Sequence, residues 1–515
     1  MNTHQEQIMQ RNRGSMFLAM LLLAVQPASA RPQEEHLGFS GDRGDVHSKG
    51  WDAAMQLKGE PVEPKFARLG AEIERFELDN GLVIYLAEDH RLPLIDLQLI
   101  FRGGELYEDE SVRGAAGFAG EQMSAGGTSK LSADELEDRL AFLAARISTS
   151  IGEETGRAGL NVLARDFDEG LALLTQVLFE PAFDPERFEL SKRSRLFRLR
   201  FQNDNPGQVL RREFNALVYG EDHPRGRRDT PEMVEKIDRD MLIAAHDRFV
   251  RPNHAFLAAV GDFDSKEMLA KLEGAFGGWE RGEDLDRVEI ETDLTPRPGV
   301  YLVDRPVNQS SIAIGHLGVD RENPDRFAIA LMNDVLGGGS FSSRVTERVR
   351  SDEGLAYSAG TRFDTSGREI GLFQASVQTK TETTAQAIAS ILDEIRKIQG
   401  GGTISRNEFE TARESVLYSY VFRFEDLSRN VSRLMQHELE GRPIDIDRQE
   451  FEGYRRATPA DLEKAAAKYL RPEQLTIFVV GDAAEIEESL EQFGPVTRVE
   501  LEDDGGKRRG GRRGR

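Results

Sequence analysis

The 515-residue chain contains no cysteine. That absence excludes disulfide bridges and every thiolate metal site, so stability has to come from apolar burial. Its nine histidines include no pair four residues apart, which removes the helical two-histidine arrangement that holds zinc. No apolar run approaches the roughly 20 residues that a membrane-spanning helix needs, so no transmembrane segment is expected. A net charge of −23 argues against nucleic acid as the main partner. Such an acidic surface is a solubility feature and carries no specific function by itself.

What is present begins with an export signal. Arg11 and Arg13 precede an apolar run from Met16 to Val25, and Ala28-Ser29-Ala30 supplies the small residues a signal peptidase reads. Residues 1–30 are therefore read as a signal peptide cleaved after Ala30, which makes the mature protein an exported, periplasmic one. Residues 31–68 are polar, rich in glycine and charge, and form a flexible leader. At the other end, residues 500–515 form a disordered tail whose basic end runs from Lys507 to Arg515 between glycines.

Regular structure starts at Phe76. Asp79-Asn80-Gly81 suits a tight hairpin turn before the β-rich run Leu82 to Leu86, and a second strand spans Leu94 to Phe101. Ser132 and Glu135 form a capping box ahead of Leu136, Leu140, Leu143 and Ile147 at helical spacing. A strand at Leu160 to Leu163 and a helix with Leu171, Leu174 and Leu178 continue the alternation. The chain also repeats itself. Arg251-Pro252 leads through the apolar stretch Ala255 to Val260 into Gly261-Asp262, and Arg471-Pro472 leads through Leu475 to Val480 into Gly481-Asp482, 220 residues later throughout. Two homologous domains follow, at 70–280 and 298–495, with a charged linker at 281–297. In the second, Ile388, Ile391, Ile395 and Ile398 mark one helix, and a capping box at Ser405 and Glu408 opens another.

The segment Asp334 to Gly339, with Ser342-Ser343-Arg344, Val349-Arg350 and Gly354-Leu355-Ala356-Tyr357-Ser358, resembles the second domain of the pitrilysin/insulinase zinc peptidase family, in its processing-peptidase-like branch. Asn80-Gly81-Leu82, Tyr219-Gly220, His223-Pro224 and Arg251-Pro252-Asn253 stand in that family's order, so the resemblance covers about residues 70–490. It implies an α+β fold of two homologous lobes, each a mainly antiparallel sheet backed by helices, closing like a clam around a peptide.

The resemblance also shows what is missing. Family enzymes carry H-x-x-E-H on a helix and a carboxylate ligand on a later one. Counting back from Gly127-Thr128 places that pentapeptide on Phe118-Ala119-Gly120-Glu121-Gln122, where only Glu121 is retained. The later helix, running from Phe188 to Asp204-Asn205-Pro206, has Leu196, Phe197, Arg198 and Leu199 where the acidic ligand is expected. No metal is therefore expected in this chain.

The second domain keeps Arg350 and Tyr357, seven residues apart, which in two-lobed relatives donate to the substrate backbone near the scissile bond. On spacing alone they also read as a surface arginine and a half-buried tyrosine. Gly337, Gly338 and Gly339 lack the lysine of a phosphate loop and instead suit close approach to a peptide strand or a neighbouring helix. The resemblance leaves two functional classes. In one, the chain is the non-catalytic, substrate-binding subunit of a heterodimeric metallopeptidase whose homologous partner supplies H-x-x-E-H and zinc. In the other, it is a stand-alone pseudopeptidase acting as a peptide-binding or scaffold protein. Export is checked by N-terminal sequencing of native material: a chain starting at Arg31 is expected, and an intact Met1 in the membrane pellet would make the segment an anchor.

Overall fold

A computed structural model of the chain describes residues 63–66, 68–290, 294–339 and 342–501. The signal peptide, most of the leader and the basic end lie outside these residues. The first hairpin forms as its turn chemistry requires. Gly81 takes the left-handed φ of +89°, and the Asn80 amide donates to the Phe276 and Trp279 carbonyls at 2.8 and 3.0 Å. That hairpin joins β1 (Glu74–Glu77) to β2 (Val83–Glu88).

With β3 (Leu94–Arg102), β4 (Arg146–Ile151), β5 (Thr155–Leu163) and β6 (Ala255–Gly261) they form a sheet in the order β1-β2-β6-β3-β5-β4. A second sheet contains β7 (Gly299–Asp304), β8 (Gln309–Leu317), β9 (Ala359–Phe363), β10 (Leu372–Lys380), β11 (Thr476–Gly481) and β12 (Val496–Arg498). Its order is β12-β7-β11-β8-β10-β9. Removing β1 and β12 leaves the same five-strand order in both, so the internal repeat is a repeat of topology. In each sheet only the strands around β2–β6 or β12–β7–β11 run parallel, and the rest are antiparallel. The last strand ends at Arg498, three residues past the boundary expected from sequence.

Each sheet buries one face against helices of its own half. In the first half these include Ala115–Ala125, Phe167–Phe179 and Arg239–Phe249; in the second, Arg326–Asn333, Thr384–Gln399 and Pro459–Tyr469. Ile388, Ile391, Ile395 and Ile398 are all buried there, as their spacing predicts. Both capping boxes form, at Ser132/Glu135 and at Ser405/Glu408.

The opposite face of each sheet is covered from the other half. Helix Pro206–Tyr219, in the first half of the chain, sets Val209, Leu210, Phe214 and Val218 against Val303, Ala313, Phe478 and Val480 of the second sheet. Helix Leu427–Leu439 returns the exchange, packing Val431, Leu434 and Met435 on Val83, Tyr85 and Ile100.

One element departs from the sequence reading. Ile147 belongs to β4, because the helix opened by Ser132 ends at Phe142 and Ala144 turns the chain at a φ of 49°. Leu136 and Leu143 remain buried from the helix side, so the apolar spacing ran through a turn and into a strand. Phe214 is fully buried where the two halves meet. Phe214→Ala should cost about 3–5 kcal/mol and lower the unfolding midpoint of both halves together, as read by urea denaturation.

Candidate functional site

Helix Ala115–Ala125 carries the degenerate pentapeptide. It starts at Gly114, whose φ of +89° requires glycine. The Glu108 carboxylate accepts from the Gly114 and Ala116 backbone amides at 2.8 and 2.6 Å, filling the orphan donors at this helix start. Burial pushes that carboxyl up to about 7, against the pull of the two amides.

Phe118 and Gln122 point inward and are 2% and 1% exposed, while Glu121 points outward. Facing them is helix Pro185–Arg200. Phe188 meets the Phe118 ring edge-on at 5.7 Å, Ser191 Oγ donates to Glu121 Oε1 at 2.7 Å, and the Arg195 guanidinium lies 5.4 Å over the Phe118 ring. Arg195 also pairs with Asp229 at 3.1 Å. Nearby, burial raises the Glu105 carboxyl, Asp229 adds to the rise, and Arg195 opposes it.

This arrangement does not fit zinc. Phe118 has no donor atom, Gln122 offers a neutral amide, and the surface facing them presents a guanidinium instead of a carboxylate ligand. No group of three or more His, Asp or Glu side chains with metal-binding geometry occurs among the described residues. Gln122 Oε1 is buried without a hydrogen-bond partner among them.

The residues that meet the pentapeptide are those of the inward helical face at 188, 191 and 195. Leu196 and Leu199 pack on the core, and Phe197 faces solvent. Asn205-Pro206 also opens a helix as well as ending one: the Asn205 side chain caps Gln208 at 3.0 Å. The signal for Ser191 and Arg195 was the i, i+3, i+7 spacing from Phe188. Asp229 and Glu105 had none, because they arrive from distant loops.

In the second half, Arg326–Asn333 runs on into a wider-wound turn, Asp334–Gly338, and a similar turn spans Glu347–Asp352. Gly337 packs against the edge strand β9. A Cβ there would lie 2.8 Å from Thr361 Oγ1 and 2.9 Å from its amide nitrogen. A Cβ at Gly338 would strike Asn333 Nδ2, and one at Gly339 would lie 2.7 Å from the Asp334 carbonyl. The three glycines thus admit the close approach of the chain's own strand and helix. Arg350 Cζ sits 4.9 Å over the Tyr357 ring, and Tyr357 is 85% exposed. The structure brings this pair together and leaves the tyrosine facing outward.

Two family models match this chain: "Insulinase (Peptidase family M16)" over residues 83–227 and "Peptidase M16 inactive domain" over residues 236–416. The chain belongs to the insulinase family. A family member from Mycobacterium leprae, described as an uncharacterized zinc protease, is 26% identical over 384 residues, 73% of this chain and 84% of that one. One from Bacillus subtilis with a similar description is 23% identical over 372 residues, covering 71% and 88%. Among solved structures, a peptidase M16 inactive domain from Pseudomonas fluorescens superposes with a TM-score of 0.70 at 21% identity, covering 79% of this chain and 97% of that one. The periplasmic protease PqqL of Escherichia coli gives 0.68 at 13% identity, covering 87% of this chain and 49% of its own.

Restoring the family's histidines should not by itself restore a tight metal site. Phe118→His with Gln122→His is expected to bind zinc more weakly than the same pair combined with Arg195→Glu, in competition against a chromogenic chelator. Equal affinity for the two variants would show that the guanidinium does not oppose the metal.

Proposed function

We propose that this chain is the non-catalytic, substrate-binding subunit of a two-chain zinc metallopeptidase acting on peptides in the cell envelope. A homologous partner with an intact H-x-x-E-H supplies zinc and the general base. The observation that carries this reading is the contrast between the two halves. The first half has Phe118 and Arg195 where a metal would be held, whereas the second keeps Arg350 stacked on an exposed Tyr357. A water beside Glu121 with no metal ligands around it keeps a pKa near 15.7 instead of about 7, so this chain alone has no hydrolytic nucleophile. The periplasmic neighbour PqqL and the N-terminal export pattern support an envelope location.

Arg350 and Tyr357 are suited to hold a peptide carbonyl, because a guanidinium and a phenol both donate to an oxygen that gains negative charge. The cation–π contact orients the ring without consuming the phenolic hydroxyl. The glycines at 337–339 serve the site indirectly by bringing β9 close to the helix that leads to Arg350.

In the reconstituted two-chain enzyme, Tyr357→Phe should lower kcat with little change in KM. An oxyanion donor is worth about 2.7–4 kcal/mol, so the loss is expected to be roughly a hundredfold or more. A tenfold or smaller rise in KM alone would instead mark a ground-state backbone contact of about 0.5–1.5 kcal/mol. Assembly has to be confirmed for each variant. Unchanged assembly, kcat and KM for both Tyr357→Phe and Arg350→Ala would leave the chain a scaffold.

A further inference from the structure

The described end of the leader, Glu63-Pro64-Lys65-Phe66, lies against helices of the second half. Pro64 is buried there, and the Phe66 ring meets Phe424 edge-on at 4.8 Å and Phe451 at 6.3 Å. The Arg448 guanidinium lies 4.9 Å over the same ring, and Arg455 pairs with Glu63 at 3.3 Å. Phe66 thus joins a small aromatic cluster that residues 417–454 otherwise build by themselves, around Tyr420, Phe424 and Phe451.

The groove under Phe66 is held from behind, without the leader. The Tyr420 hydroxyl donates to the Asp447 carbonyl at 3.0 Å, the Asn430 amide donates to the Phe424 carbonyl at 3.0 Å, and Arg433 pairs with the Asp447 carboxylate. Nor does the leader fill it. A cavity of about 170 Å³ opens beside Phe66, between Phe424, Leu434 and Ile444, and Ile444 at its rim is 53% exposed. A space of about 150 Å³ is enough for a benzene ring. The leader's hold is weak in kind: a half-buried ring, a proline, and an ion pair whose two side chains are mostly exposed and which therefore contributes little.

We propose that the groove between helices Leu427–Leu439 and Ile446–Arg456 is a binding site for an extended polypeptide segment of the pattern acidic-Pro-x-aromatic. The leader is its tethered occupant, and a partner presenting the same pattern displaces it. Proline holds such a segment extended before it binds, and aromatic-lined grooves recognise that conformation. The aromatic residue two positions after the proline enters beside Phe424 and Phe451, under Arg448, as Phe66 does. A ring larger than that of phenylalanine reaches into the remaining space beside Ile444. The partner is recognised as an unpaired extended segment, and the groove carries neither Arg350 nor Tyr357, so this inference does not rest on the peptidase reading.

Fluorescence anisotropy with a labelled peptide of the sequence Pro61 to Arg68 tests it on the full mature chain. The Phe66→Ala chain should bind this peptide about tenfold or more tightly than the wild-type chain, because the wild-type leader competes at an effective concentration on the order of millimolar. On the Phe66→Ala chain, Phe66→Trp in the peptide should tighten binding and Phe66→Ala in the peptide should abolish it. Adding Ile444→Asp to that chain, a change at an exposed rim position, should weaken the Phe66→Trp peptide by about tenfold. Circular dichroism confirms that each chain is folded. A second readout needs no variant of the chain: amide hydrogen exchange of residues 60–66 in the wild-type protein should rise when excess Phe66→Trp peptide is added. Equal affinity of the wild-type and Phe66→Ala chains overturns the proposal. So does a folded Phe66→Ala chain that binds no peptide, or leader exchange that the peptide leaves unchanged, since either makes Phe66 a fixed part of the core.

Discussion

The exchange of helices between the two sheets is the constraint on which the rest of the structure depends. A sheet buried on one face only would leave Val83, Tyr85 and Ile100, or Val303, Ala313 and Phe478, in water, and burial of such side chains is worth roughly 1.5–3 kcal/mol each. Each half supplies the other's missing layer. Polar contacts then fix the register. The Tyr85 hydroxyl and Arg75 guanidinium both engage Glu438, and Ser428 donates to Asp96 at 2.8 Å. On the reciprocal side, the Tyr219 hydroxyl donates to the Ile370 carbonyl at 3.0 Å, and Arg225 pairs with Glu369 at 3.0 Å. Neither half has a complete core alone, so the repeat is two homologous sequences sharing one folding unit.

That dependence explains how the first half can lack a metal site and still hold its shape. Phe118 and Ala119 belong to the apolar core of this half, so the position of a metal ligand is taken over by core packing, and the pocket there needs only to fill space and balance charge. Phe118 and Phe188 do the first, and Arg195, placed between a ring face and Asp229, does the second. A guanidinium suits this position because it stacks on an aromatic face while its edge still pairs with a carboxylate. The leftover is Gln122 Oε1, a buried acceptor whose cost of about 1–3 kcal/mol the fold carries without repair.

What was legible in the sequence is what is local. The Asn80-Gly81 turn, the two capping boxes and the isoleucine face of Thr384–Gln399 each depend on residues within a few positions of one another, and each forms as read. The repeat was legible because it preserved an order of elements. Ile147 was misplaced because an apolar spacing of four does not stop at a helix end, and Ala144, an unremarkable alanine, makes the turn through a left-handed conformation. Spacing from the pentapeptide located the later helix; which of its residues meet the pentapeptide, 188, 191 and 195, depends on its rotation, for which spacing gives no signal. The helix exchange had no local signal at all. Phe214 and Leu434 look like any helix core, and nothing in their neighbours says whose sheet they cover.

The two halves differ in chemistry but agree in one steric demand, and that separates what the fold needs from what catalysis needs. Gly120 crosses the edge strand β4 so closely that a Cβ would lie 2.1 Å from the Ile151 amide nitrogen; Gly337 crosses the equivalent edge strand β9 with a Cβ position 2.9 Å from the Thr361 amide nitrogen. The Gly-rich segment of the second half is thus the structural counterpart of the degenerate pentapeptide in the first. Glycine at the crossing is required in both because backbone meets backbone there, whatever side chains flank it. The flanking positions are under no such requirement, and in neither half do they hold metal ligands: Phe118, Glu121 and Gln122 in the first, Val335, Gly338 and Gly339 in the second. What the crossing does in both halves is fix an edge strand against a helix. In the second half that same packing carries the chain on to Arg350 and Tyr357, so a tyrosine that is 85% exposed stands beside a close backbone crossing.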